Sequence, residues 1–114
     1  MFRKYLESGE VLMVKRLLAV GHNPFGKMEH DRSYLHFAVI KGGCEMVEIL
    51  LEAQIDPNGL DDFHRTPLFY AVINDNVKMV KLLLKWGANP RFQMDGKETV
   101  FQFTSNPVIY NLFS

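Results

Sequence analysis

From Arg65 to Pro90 the apolar positions follow a helical period. Leu68, Ala71 and Val72 fall at i, i+3 and i+4, and Met79, Val80, Leu83 and Leu84 resume the stripe after a polar break. Two amphipathic helices with a tight turn at Asn74-Asp75-Asn76 follow from this spacing. Thr66 and Pro67 suit the first helix start, Thr66 as a capping hydroxyl and Pro67 where a missing N–H costs nothing. Gly87 is placed to end the second helix in a left-handed conformation, and Asn89-Pro90 to lead out through an extended turn.

The same arrangement stands 33 residues earlier. Arg32 to Pro57 aligns with Arg65 to Pro90 without a gap, and Leu35, Ala38, Val39, Met46, Val47, Leu50 and Leu51 match in register. Val14, Leu17 and Leu18 precede the pair by one more period, and Thr99 follows Thr66 by one. A fixed period of this size marks a repeat array whose units bury their apolar faces against one another. The expected fold is an all-α solenoid of about four units: a capping unit over residues 1–30, full units over 31–63 and 64–96, and a capping unit over 97–114. The first unit is expected to start inside a helix at Phe2 to Leu6. The last carries Asn106-Pro107, a cap and proline that predict a short closing helix with Val108, Ile109, Leu112 and Phe113. Gln54 stands where the next unit has Gly87, so a positive φ there is expected to cost about 1 kcal/mol.

Thr66-Pro67-Leu68-Phe69, Ala71-Val72, Leu83-Leu84 and Gly87-Ala88-Asn89 resemble the ankyrin repeat family, whose units open Thr-Pro-Leu-His, continue Ala-Ala and close Leu-Leu, Gly-Ala-Asp. The second unit departs with Ser33-Tyr34 and Gln54, and places His36 at the family's histidine position. The resemblance implies a structural hydrogen bond from His36 to backbone. It also implies a non-catalytic module that binds a protein partner through a groove of first helices and turn tips. Among small members the layout is similar to a free-standing regulator of the actin-capping heterodimer and to viral inhibitors of host signalling. A free-standing inhibitor or adaptor, monomeric when unbound, is therefore the expectation.

Charge narrows the partner. Thirteen basic residues balance thirteen acidic ones, so no overall field draws in nucleic acid or an anionic membrane surface. The apolar stretches fall short of the roughly 20 residues that cross a bilayer. The opening Phe2-Arg3-Lys4 has no leader-peptide core, which predicts that the mature chain starts there. A single cysteine, Cys44, suits a reducing compartment, cytoplasmic or nuclear. Glu45, Glu48 and Glu52 lie one period before Lys78, Lys81 and Lys85, predicting facing rows of solvated charge whose ion pairs are each worth roughly 0–1 kcal/mol.

No pattern for catalysis is present. Gly42-Gly43 follows no strand and precedes no Lys-Ser or Lys-Thr pair, so it is a helix-helix turn and not a phosphate cradle. His22, His30, His36 and His64 lack the helical spacing of metal ligands. No cofactor and no metal are expected. Cys44 opens a helix but is read as structural.

The partner site is therefore sought on the first helices and tips. Ile40 and Lys41 repeat as Ile73 and Asn74, with Phe37 and Tyr70 on the same side one turn earlier. Two places are open to the isoleucines, an interface core or packing between units. At the tips, Glu29, His30 and Arg32 recur as Asp62, Phe63 and Arg65, and Phe63 is the expected anchor. Trp86 is expected to lie off the groove against the loop of the next unit.

Overall fold

The structure is a computed structural model and describes residues 2–93 and 99–113. It contains seven α-helices among those residues: α1 Phe2–Ser8, α2 Val11–Ala19, α3 Tyr34–Lys41, α4 Cys44–Glu52, α5 Pro67–Ile73, α6 Val77–Lys85 and α7 Pro107–Leu112. A 3-10 turn at Val100–Phe103 takes the place of the first helix in the last unit. First helices pack on first helices, α1 on α3 and α3 on α5, which in turn meets the 3-10 turn; second helices stack as α2, α4, α6 and α7.

The core is the repeat made physical. Val14, Val47 and Val80 stand one period apart on the three second helices and are each fully buried, with Leu17, Leu50 and Leu83 one turn on. Phe2, Leu35 and Leu68 form the corresponding row on the first helices, and small Ala38 and Ala71 are buried between helices there. The rows are buried between the two helices of a unit and against the neighbouring unit, as α3 meets both α4 and α5, so no unit keeps its apolar face dry alone.

Turn residues set the geometry of the units. Gly21, Gln54 and Gly87 occupy equivalent positions after the second helices, with φ of 95°, 72° and 97°. Gln54 thus adopts the left-handed conformation that glycine takes in the units on either side. Ser33 caps α3: its Oγ accepts from the His36 N–H at 3.2 Å, and its own N–H donates to His36 Nδ1 at 3.2 Å. In the last unit Gln102 Oε1 accepts in the same way from the Thr99 N–H at 2.7 Å. Thr66 corrects expectation. Its side chain makes no cap bond to α5; the Phe69 N–H that it would accept lies on the Thr66 carbonyl instead, at 3.2 Å. Asn106 caps α7 as expected, accepting from the Val108 N–H at 2.9 Å. Ile109 and Phe113 are buried beneath that helix, whereas Val108 faces outward.

Candidate protein-interaction site

The first-helix side of the stack exposes both isoleucines. Ile40 is 36% and Ile73 46% accessible, so neither belongs to the buried core between units. Lys41 and Asn74 beside them are exposed, and the Lys41 ammonium lies 5.6 Å from the centre of the half-buried Phe37 ring. Ile73 and the exposed Phe103 line one open depression of about 320 Å³ with Asp75 and Asn106 at its rim. Phe103 was not foreseen as part of this band, although it stands one period after Tyr70.

Tyr70 itself does not lie in the open groove. It is 5% exposed, and its hydroxyl donates to Asp61 Oδ2. Asp61 was not anticipated either. The Asp61 Oδ1 accepts from the Phe63 N–H at 2.9 Å and the Arg65 N–H at 3.0 Å. Arg32 Nη2 donates to the Tyr70 hydroxyl at 3.1 Å. Arg32 Nε lies 3.5 Å from Asp61 Oδ2, an ion pair too loosely aligned to be a hydrogen bond. Burial alone would push the Asp61 carboxyl up, but the Tyr70 hydroxyl and the two backbone N–H groups outweigh it and hold Asp61 below the usual aspartate range. Burial and the Asp61 hydrogen bond raise the Tyr70 phenol.

Around this knot the two tips meet. The Asp62 N–H donates to the His30 carbonyl at 2.8 Å, joining the backbone of one tip to the next. Phe63 is 43% exposed. Its ring centre lies 5.1 Å from that of His30, 5.7 Å from the Arg32 guanidinium and 5.4 Å from that of Arg65. Arg65 also covers Phe69 at 4.6 Å. Glu29 is exposed but engaged, accepting from Arg3, which in turn bonds Glu7 at 2.6 Å. The Arg3 hydrogen bond lowers the Glu29 pKa. Asp62 is exposed at the second tip.

His36 lies beneath the knot and is fully buried. Its Nδ1 accepts from the Ser33 N–H, so the proton is assigned to Nε2, which donates to the Arg65 carbonyl at 2.8 Å. The backbone bond implied by the family resemblance is thus present, and it links the second unit to the third. Burial pushes the His36 pKa down, against the Arg65 carbonyl, which favours the charged form.

The opposite side differs. Lys15, His22, Phe25, Ile49 and Glu52 are among the residues lining an open depression of about 440 Å³ between α2 and α4, and Phe25 is exposed at its edge. The expected Glu45, Glu48 and Glu52 row runs beside the Lys78, Lys81 and Lys85 row, but no ion pair between them closes within 4 Å. Trp86 is partly exposed at the end of α6; the loop it was expected to meet includes residues 94–98, outside the described residues. Among the described residues no three His, Cys, Asp or Glu side chains are grouped to hold a metal, and no helix is long and apolar enough to cross a membrane.

Antiparallel helix pairs stacked at a fixed period, with hairpin tips on one edge, define a repeat scaffold of the kind that presents an extended binding surface. A family model described as ankyrin repeats, in three copies, matches residues 5–94, and the chain belongs to the ankyrin repeat family. No curated protein matches it. Ankyrin repeats are protein–protein interaction modules.

Proposed function

We propose that the chain is a non-catalytic inhibitor or adaptor that holds a protein partner against the first-helix groove and the first and second tips. The observation that carries this reading is the exposure of Ile40 and Ile73 at equivalent positions, with Phe103 continuing the apolar band and Lys41 and Asn74 at its edge. An apolar centre with a polar rim is the anatomy of an interface. Phe63 extends it to the tips as an aromatic already flanked by His30, Arg32 and Arg65. Glu29 and Asp62 form its acidic margin, and Tyr70 supports it from beneath. The balanced charge favours a protein over nucleic acid or membrane, and the single cysteine suits a reducing compartment, cytoplasmic or nuclear.

The test is capture of partners from native cells by the wild-type chain and by Phe63→Ala, Ile73→Asp, Lys81→Ala and Phe25→Ala, followed by affinity measurement with the protein recovered. Truncating a buried anchor costs about 2 kcal/mol or more, so Phe63→Ala and Ile73→Asp are expected to weaken binding at least about tenfold. Lys81→Ala and Phe25→Ala, on the other side, are expected to leave it unchanged. Loss of binding in Phe25→Ala with retention in Phe63→Ala would move the site to the α2–α4 face.

A further inference from the structure

Asp61 and Tyr70 break the repeat. Shifted back by one period they correspond to Met28 and Phe37, so the second tip and α5 carry a carboxylate and a phenol where the first tip and α3 carry a thioether and a plain ring. Met28 is buried at the first tip, which shows that an apolar side chain suffices to fill this position. A buried carboxylate is costly unless its oxygens are satisfied, and here three donors converge on it, the Phe63 and Arg65 N–H groups and the Tyr70 hydroxyl, with the Arg32 guanidinium alongside as an ion pair. The two departures from the repeat therefore meet each other. They also reach back to Arg32 of the preceding tip.

We infer that Asp61 is a positioning residue for the interaction surface, locking the first and second tips into one rigid body that presents the Phe63 ring before a partner arrives. Its Oδ1 fixes the backbone on both sides of the tip, at Phe63 and Arg65. Its Oδ2 fixes Tyr70 and Arg32, and the Arg32 guanidinium lies against Phe63. The Asp62 to His30 backbone bond closes the same assembly. An anchor held in place before encounter loses less side-chain and loop freedom on binding. The role of the surface rests on the function proposed above, whereas the locking can be measured in the free chain.

The experiment compares the isotopically labelled wild-type chain, without a partner, with Asp61→Asn and with the double variant Asp61→Met, Tyr70→Phe. The double variant installs the residue pair of the first tip and guards against a variant that fails to fold. In both variants amide exchange at Asp62, Phe63 and Arg65 is expected to speed up by about tenfold or more, the signature of local opening. Nuclear Overhauser contacts of the Phe63 ring to His30 and Arg32 are expected to disappear, while Val80 and Leu83 in α6 change only as global stability does. Unchanged tip exchange and ring contacts in the double variant would overturn the inference, as would acceleration at the tips matched by equal acceleration in α6. Partner capture by Phe63→Ala tests the location of the site independently.

Discussion

His36 joins two units through a neutral ring, and that makes it sensitive to acid. Burial lowers its pKa from the ordinary 6.5, so below that pH the unfolded chain binds more protons than the folded one, and stability falls as pH falls. Protonating Nδ1 also removes the acceptor for the Ser33 N–H. The melting temperature is expected to decline from pH 7 to pH 5, and His36→Gln to flatten that decline. Gln102 already accepts from Thr99 in this way, so glutamine is compatible with the cap. Thermal melts of both proteins across this range provide the check. Asp61 has the same sign at lower pH: its depressed pKa stabilises above the ordinary aspartate value of 3.8, and that contribution is lost as pH falls through the folded pKa.

Gln54 offers a gain at the same scale. It holds φ at 72° where Gly21 and Gly87 hold theirs near 95°, a conformation that costs an L-residue on the order of 1 kcal/mol. Gln54→Gly is expected to stabilise by up to about 1 kcal/mol, less whatever the unfolded chain gains in freedom. Urea denaturation with an unchanged slope and a higher midpoint would show it.

At the scale of elements, α7 is short, and beside its buried Ile109 and Phe113 it is held by two contacts of one side chain. Asn106 Oδ1 accepts from the Val108 N–H, and Nδ2 donates to Asp75 Oδ1 at 2.8 Å, tying the last helix to the α5–α6 turn. Asn106→Ala removes both. The expected cost is about 1 kcal/mol, seen as faster exchange through α7 with little change in α3 and α4. The Glu and Lys rows on α4 and α6 lack closed pairs, so Lys81→Ala is expected to alter stability by less than about 0.5 kcal/mol.

At the scale of the molecule, the stack measures 40 × 25 × 20 Å, and among the described residues its first and last units each pack on a single neighbouring unit. Stability in such an array is a sum of unit and interface contributions. Hydrogen exchange is accordingly expected to be slowest in α3 to α6 and faster in α1, α2 and α7. Uniform protection along the chain would contradict this.

The sequence determined the helices, their turns, their order and the buried rows, because one apolar stripe repeated at 33 residues has a single economical solution, stacking. It also determined Gly87 and Asn106, since caps and left-handed turns depend on local residue type; the backbone bond of His36 was implied by the family resemblance, and its acceptor, the Arg65 carbonyl, stands 29 residues away. Thr66 did not cap although its residue type suits it, because the Phe69 N–H turns to the Thr66 carbonyl instead. Asp61 left a readable trace, a charge aligned with Met28, but its meaning required Tyr70 and Arg32. Those partners lie 9 and 29 residues away, and Tyr70 is turned inward with its hydroxyl on Asp61 and its ring against His36 and Phe69. Ile40 and Ile73 were equally undecided, for periodicity places a side chain on a face but not that face against a neighbour. Tertiary structure alone decided what covers each face, because burial depends on which surfaces the stacked units present to one another and which they leave to water.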